Sequence, residues 1–361
     1  MGVLVQRSIL ISHLVILCIA GVFWFADDLL KLAGQNAQAS YEAAIFIRIF
    51  IASLWPIAMF GNLRRYLQAQ RQVIFIPIAV LIGLVVQIIA LIVLVNVLHL
   101  GYIGACIALP CSYWSMTASL YCFTMLNPPL RRAVSATWPG WGSWALKDWP
   151  IFLKLSIPGT FQLCAEWWAL EVMAIFAGHF GTQYVAAFTV TLNAIGVFAR
   201  FPLGVSFSAA VLVGNKLGAQ RPMSAKIIYD CSVALGVGSG VVFAACLWLF
   251  ADFFSHVYTE VATVRPIVAD ALPYCAVYFL FYAYQRASAG GARGMGRQNI
   301  GAAIYIFAYY FVGMPLGIWF SYSGFGGNGE PMYIKGLWTG AAISALIGSF
   351  FFLFFRFWVN W

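Results

Sequence analysis

The sequence predicts an all-α polytopic membrane protein with ten transmembrane helices. Of its 361 residues, 63% are hydrophobic and only 9% are charged, whereas soluble proteins are about half apolar and a quarter charged. The mean hydropathy of +0.88 and the aromatic content of 17% agree with this class. The composition excludes an ordinary water-soluble enzyme, and the lack of long polar tracts excludes a disordered chain.

Ten apolar stretches are long enough to cross the roughly 30 Å hydrocarbon core of a bilayer. They cover residues 8–26, 43–63, 73–98, 102–126, 151–178, 184–211, 227–251, 267–288, 300–322 and 335–359. Turn-forming residues separate them at 127–129, 181–182, 221–222 and in the glycine-rich stretch 324–329. The first stretch lacks a small-residue cleavage site, so we interpret it as a helix rather than as a signal peptide.

Basic residues alternate between the two predicted sides of the membrane. One side has mainly Lys31, Arg265 and Lys335, together with the carboxylates Asp27, Asp28, Asp252, Glu260 and Glu330. The other side has Arg7, Arg64, Arg65, Arg71, Arg131, Arg132, Lys147, Lys154, Lys216, Arg221, Lys226, Arg293, Arg297 and Arg356. Because cytoplasmic loops accumulate Lys and Arg, we predict that both termini are cytoplasmic. The net charge of +9 therefore indicates orientation, and we expect no nucleic-acid partner.

Two short motifs recur in the same order. Residues 65–70 and 293–298 share an R-x-x-x-x-Q pattern at the ends of the second and eighth helices, and Gly-Ala opens the fourth helix at 104–105 and the tenth at 340–341. Helices one to four therefore match helices seven to ten as a parallel repeat.

The repeat predicts two lobes of four and six helices. We assign residues 1–130 to an incomplete N-terminal lobe, 131–147 to a cytoplasmic linker and 148–361 to a C-terminal lobe. Helices five and six have no counterpart at the start of the chain. Either the sequence is a six-plus-six protein that lacks its first two helices, or it has a four-plus-six architecture, and the repeat alone does not decide between them.

Two carboxylates lie within the fifth helix, Glu166 and Glu171. A charge at this depth costs at least about 2.5–3.5 kcal/mol, so each one is a candidate functional residue. Glu166 is about 18 Å along the axis from Lys154, and Glu171 is about 140° round the helix, so we expect them on adjacent walls of one cavity. Burial favours the protonated carboxyl, which would allow exchange of a proton for a cation. The alternative is a neutral glutamic acid that is hydrogen-bonded to a neighbouring helix.

The sixth helix contributes two further polar candidates. Asn193 lies near the predicted depth of Glu166, so we expect one pocket to contain both. Arg200 is a second costly charge in the membrane, and we expect it to pair with Glu171 or Glu166 or to reach the inner interface rather than to bind a ligand.

Several other residues have two interpretations. Trp167 and Trp168 would either pack in the core or attract an organic cation beside a carboxylate. We place Arg48 and Arg286 at the membrane interface because they lie closer to helix ends. We find no Walker loop, no metal-binding spacing of Cys or His and no nucleophile set, so we predict neither an enzyme nor a cofactor other than a coupling ion.

Together these motifs resemble the multidrug and toxin extrusion (MATE) family of secondary antiporters, particularly its eukaryotic proton-coupled branch. The matching segments are residues 4–9, 65–70, 166–171, 178–181, 185–187, 213–219, 294–298 and 308–317. The resemblance covers nearly the whole chain and implies that it begins at the third of twelve family helices. It also implies export of organic cations or other drug-like solutes, by alternating access between two lobes, in exchange for H⁺ or Na⁺.

The resemblance further implies site residues. Glu166 and Glu171 would bind the proton or cation, and the substrate cavity would be lined by Trp167, Asn193, Arg200, Tyr282, Gln285 and Tyr309. Tyr282 stands where the family has a further acidic residue, and Leu212 replaces a basic residue. Because Arg200 is an unusual cation for its helix, the substrate could also be neutral or anionic.

The sequence thus predicts a secondary active transporter that binds a small-molecule substrate and the lipid bilayer. We expect a monomer in the plasma membrane or in a vacuolar or other endomembrane. Two alternatives remain open at this point: a lipid-linked-precursor flippase of the same superfamily, and a truncated product that does not transport.

Overall fold

The computed structural model describes residues 1–32, 37–323 and 330–359, and every regular element in these ranges is a helix. The predicted all-α fold class is confirmed, and each of the ten predicted spans overlaps one long helix. These helices are α1 (Gly2–Trp24), α2 (Ala37–Ala69), α3 (Phe75–Val97), α4 (Gly101–Leu126), α5 (Trp149–Gly178), α6 (Thr182–Gly218), α7 (Pro222–Leu249), α8 (Arg265–Gly294), α9 (Gln298–Tyr322) and α10 (Ile334–Trp358). The predicted glycine-rich loop at 324–329 lies outside the described residues.

Nine of the ten helices are long and apolar enough to cross a membrane in the part of the chain that the structure describes. The tenth, α5, has 30 residues and is also long enough. Gln162, Glu166 and Glu171 interrupt its apolar stretch. The helix that carries the candidate acidic residues is therefore not among the nine.

The predicted turns coincide with helix boundaries. Gly181 precedes α6 with φ of 116°, in the left-handed region that favours glycine, and Pro222 is the first residue of α7. One boundary differs from the prediction: the predicted span ends at residue 211, whereas α6 continues to Gly218. Within this extension, a Cβ at Gly214 would lie 3.3 Å from the carbonyl oxygen of Gly294, which is a tight contact.

The chain divides into two compact units, of which the first comprises residues 1–152 and contains α1–α4. In this unit α4 packs against α3 and α2. The segment 131–147, predicted as a linker, belongs to this unit and is held against α1. Gln6 Nε2 donates to the Gly140 carbonyl at 2.6 Å, and Arg7 forms an ion pair with Asp148 at 2.9 Å.

The second unit comprises residues 153–361 and contains α5 from Leu153 onward together with α6–α10. Its central element is α8, which packs against α6, α7 and α10 and has more buried residues than any other helix. Small residues allow this close packing: Gly236 and Gly240 of α7 lie against Ala283 of α8, where added methyl groups would clash.

Two glycines of the predicted repeat have matching environments within their own units. Gly104 of α4 lies against the backbone of Leu94, in a π-helical turn that ends α3. Gly340 of α10 lies against the backbone of Gly313, in a π-helical turn of α9. In both places a glycine allows close approach to a widened helical turn. This equivalence is what a parallel repeat of α1–α4 and α7–α10 would produce.

Candidate functional site

A buried ion pair joins α5 to α8 in the second unit. The Glu166 side chain accepts hydrogen bonds from Arg286 Nη2 at Oε2 and from the Tyr278 hydroxyl at Oε1. Both Glu166 and Arg286 are 1% exposed. The pair is separated by 120 residues in the sequence and is the most deeply buried ion pair among the described residues.

The arrangement follows from one face of α8. Tyr278, Tyr282 and Arg286 are spaced by four residues, so their side chains leave the helix on the same side. The guanidinium carbon of Arg286 lies 5.3 Å from the ring centroid of Tyr282 and 5.4 Å from that of Tyr305 on α9. Two aromatic rings therefore hold the guanidinium by cation–π contacts while Glu166 balances its charge.

Tyr309 and Gln285 extend this buried cluster. The rings of Tyr305 and Tyr309 stack with their centroids 5.8 Å apart. The Tyr309 hydroxyl donates to Gln285 Oε1 at 3.2 Å. All three of these residues are fully buried, so the ion pair lies in a polar and aromatic interior rather than at the surface.

The pair has a clear electrostatic consequence. Removing one partner of a buried ion pair costs about 3–5 kcal/mol because the other charge is left uncompensated. Protonation of Glu166 neutralises its side chain without a mutation, and Arg286 would then lose its counter-charge. Loss of either charge would therefore be strongly unfavourable at this site.

A second group of polar residues lies at a surface cavity of about 540 Å³ in the same unit. Glu171, Asn193 and Arg200 are exposed there, and Trp167 is 37% exposed. The cavity is lined by Trp167, Glu171, Leu192, Asn193, Gly196, Val197, Arg200 and Tyr258. It combines a carboxylate, a guanidinium, an amide and aromatic rings.

The structure thus divides the predicted substrate cavity in two. Trp167, Asn193 and Arg200 line the surface cavity with Glu171. The other predicted residues, Tyr282, Gln285 and Tyr309, are buried around the ion pair of Glu166 and Arg286.

The expectation of one cavity for both glutamates is therefore wrong, and Asn193 accompanies Glu171 rather than Glu166. The physical reason is the helical rotation of about 140° between positions 166 and 171. This rotation directs Glu166 into the unit and Glu171 toward its surface.

One of the predictions about arginines is also wrong. Arg286 is not interfacial, because it is buried and paired with Glu166. Arg200 forms no ion pair within 4 Å with either glutamate in the described parts of the chain. It lies instead at the middle of α6 and is exposed to the cavity. Arg48 contacts Trp24, with its guanidinium carbon 6.0 Å from the ring centroid.

Tyr278 and Tyr305 were not predicted as site residues, and Arg286 was placed at the membrane interface. A signal for part of this set was present, because Tyr278, Tyr282 and Arg286 form a stripe with four-residue spacing on one helix. The spacing of Tyr305 and Tyr309 is the same. Such a stripe of hydroxyl-bearing rings ending in a charge is unusual for a lipid-facing surface, where polar side chains are costly.

An apolar groove lies beside the cavity, between α6 and α7, and has a volume of about 520 Å³. Arg200 lines both the groove and the cavity. The remaining lining residues of the groove are Phe201, Gly204, Val205, Ser208, Leu212, Ile227, Ile228, Cys231, Ser232 and Leu235. No group of three or more His, Cys, Asp or Glu side chains is placed to hold a metal ion in the described ranges.

Comparisons with known proteins agree with the helical architecture. The eukaryotic MATE transporter AtDTX14 has the same fold, with a TM-score of 0.91 at 24% identity, over 100% of this chain and 79% of that one. An outward-facing multidrug resistance MATE family transporter superposes with a TM-score of 0.81 at 19% identity, over 99% and 78% of the two chains.

The chain also has relatives by sequence. The chain is 30% identical to human multidrug and toxin extrusion protein 1 and 27% identical to Protein DETOXIFICATION 16 of Arabidopsis thaliana, over its whole length in both cases. It spans 61% of the length of the first and 73% of the second. The MatE family model matches residues 1–94 and 158–319, which is more than half of the chain. This multi-pass integral membrane protein belongs to the MatE family.

Proposed function

We propose that the protein is a secondary active transporter that exports organic cations or other drug-like solutes in exchange for protons. Family membership supports the transporter class, since the similar proteins are named for multidrug and toxin extrusion or for detoxification. The observation that carries proton coupling is the buried pair of Glu166 and Arg286.

Proton coupling requires a group whose protonation changes the conformation. Glu166 meets this requirement because its only charged partner within 4 Å among the described residues is Arg286, and both are excluded from water. When Glu166 binds a proton, Arg286 keeps its positive charge in a low-dielectric interior, which is strongly unfavourable. The unit would reduce this penalty by moving α8 relative to α5, and the movement would be linked to alternating access.

Substrate binding requires a group that is accessible and not already neutralised. Glu171 meets this requirement, since it is exposed in the cavity beside Trp167 and Tyr258. A carboxylate next to aromatic rings is suited to an organic cation. In this scheme the two glutamates of α5 have separate roles, Glu166 in proton coupling and Glu171 in substrate recognition.

The remaining elements of the proposal concern the whole protein. We infer that the two compact units act as the lobes of an alternating-access transporter. The distribution of Lys and Arg supports cytoplasmic termini.

The test is uptake of the fluorescent cation rhodamine 6G into proteoliposomes with an acidic lumen, using the full chain. We expect accumulation that collapses when the pH gradient is dissipated and that is lost in Glu166→Gln. Glu260→Gln, which changes an exposed carboxylate in a loop, is the matched control and should transport normally. Accumulation without a pH gradient, or unchanged accumulation by Glu166→Gln, would contradict the proposal.

The groove between α6 and α7 favours a second candidate function, movement of a lipid-linked precursor. Its walls are apolar except for Arg200 and two serines, so an acyl chain could lie in it with an anionic headgroup at the guanidinium. Liposomes that contain a fluorescent anionic lipid distinguish this candidate. Protein-dependent translocation of the lipid, without gradient-driven uptake of rhodamine 6G, would support the flippase over the antiporter.

A further inference from the structure

The surface cavity has opposite charges on two of its walls. Glu171 projects from α5 and Arg200 from α6, and both side chains line the cavity of about 540 Å³. Neither residue forms an ion pair within 4 Å with any described residue. The two charges therefore face one cavity without forming an ion pair with each other.

An exposed charge at the middle of a membrane-spanning helix is costly unless something compensates it. Arg200 lies at the middle of α6, and the cavity contains no second basic residue and no second acidic residue. A purely cationic ligand would satisfy Glu171 but would be repelled by Arg200. A purely anionic ligand would satisfy Arg200 but would be repelled by Glu171. A ligand with one charge of each sign satisfies both walls.

We propose that the preferred substrates are zwitterionic amphiphiles, a proposal that rests on the transport function proposed above. The cationic end lies at Glu171 and against the exposed face of Trp167, where both electrostatic and cation–π attraction act. The acidic end lies at Arg200, whose planar guanidinium binds a carboxylate through two parallel hydrogen bonds. Asn193, on the same helix as Arg200, offers both a donor and an acceptor.

This assignment makes Arg200 the residue that determines specificity between zwitterions and cations. Glu171 interacts with the charge that both classes share, whereas Arg200 interacts only with the acidic group. Lys would retain the positive charge but not the bidentate geometry, so Arg200→Lys should keep part of the preference. Arg200→Gln should abolish it.

Rhodamine 19 and rhodamine 6G provide a matched pair of probes, because the second is the ethyl ester of the first. They share one aromatic cation and differ in whether a free carboxylate is present. We expect the purified full chain in detergent micelles to bind rhodamine 19 more tightly, as measured by fluorescence anisotropy. Arg200→Gln should weaken the binding of rhodamine 19 by about tenfold or more, because a charge-assisted hydrogen bond is lost. The affinity for rhodamine 6G should stay the same or increase.

Two further variants complete the design. Glu171→Gln should weaken the binding of both dyes, because it removes the carboxylate that pairs with the cation they share. Lys216→Gln changes a basic residue that is on the same helix but outside the cavity, and it should alter neither affinity. Equal affinities of the wild-type protein for the two dyes, or equal weakening of both by Arg200→Gln, would overturn the proposal.

Binding at equilibrium in micelles needs no pH gradient, so this experiment is independent of transport. An Arg200-dependent preference for rhodamine 19 in a protein that fails the proteoliposome assay would support the binding site and contradict the transporter. Gradient-driven uptake without that preference would support the transporter and contradict the zwitterion binding site.

Discussion

Glu166 and Glu171 are two identical side chains on one helix, five residues apart, and their surroundings are opposite. Glu166 is 1% exposed and is held by Arg286 and Tyr278. Glu171 is exposed in a cavity and forms no ion pair with a described residue. The difference shows that the chemistry of a membrane carboxylate is set by the neighbouring helices rather than by its depth alone. A buried, paired glutamate is suited to coupling and an open one to binding.

The largest effect should follow from removing the counter-charge of Glu166. Arg286→Gln leaves a buried carboxylate without its partner, so we expect the free energy of unfolding to fall by about 3–5 kcal/mol. An SDS titration in mixed micelles measures this loss. The double variant Glu166→Gln/Arg286→Gln has no uncompensated charge and should recover part of it. If the double variant loses as much free energy of unfolding as the two single variants lose together, the two charges do not interact.

An intermediate effect should follow from removing the hydroxyl that Tyr278 donates to Glu166. Tyr278→Phe retains the ring and deletes one hydrogen bond to a charged group, so we expect a loss of about 1.5–3 kcal/mol in the same titration. Tyr322→Phe is the control, because Tyr322 is 52% exposed and should change stability by less than about 0.5 kcal/mol. Equal losses of stability in the two variants would show that the Tyr278 hydroxyl does not stabilise Glu166.

The smallest effect on stability should come from Glu171. Because this carboxylate is exposed and is not paired with a described residue, Glu171→Gln should change the free energy of unfolding by less than about 0.5 kcal/mol. Its effect should be seen in ligand affinity, as weaker binding of rhodamine 6G by fluorescence anisotropy. A large loss of stability with unchanged affinity would reverse the assigned roles of the two glutamates.

Most of the fold could be predicted from the sequence because each element has a local signal. Apolar stretches of membrane length predict the helices, and residues such as Gly181 and Pro222 mark their ends. The predicted sixth span ends at residue 211, but α6 continues to Gly218. Within this extension Gly214 lies close to Gly294 of α8.

The candidate site could be predicted only in part. The location of Glu166 and Glu171 on one helix follows from the sequence, and so does the angle between them. The pairing of Glu166 with Arg286 does not follow, because it joins two helices that are 120 residues apart. Helical periodicity tells which residues share a face, but it does not tell which neighbouring helix that face meets. The separation of Asn193 from Glu166 was missed for the same reason.

The most direct test of the central claim is proton movement coupled to substrate in proteoliposomes that contain an internal pH-sensitive dye. Adding rhodamine 6G outside vesicles with an acidic lumen should make the lumen more alkaline when the wild-type protein is present. Glu166→Gln should bind the dye with unchanged affinity and produce no pH change. A pH change by Glu166→Gln equal to that of the wild-type protein would show that the buried pair of Glu166 and Arg286 is not the coupling site.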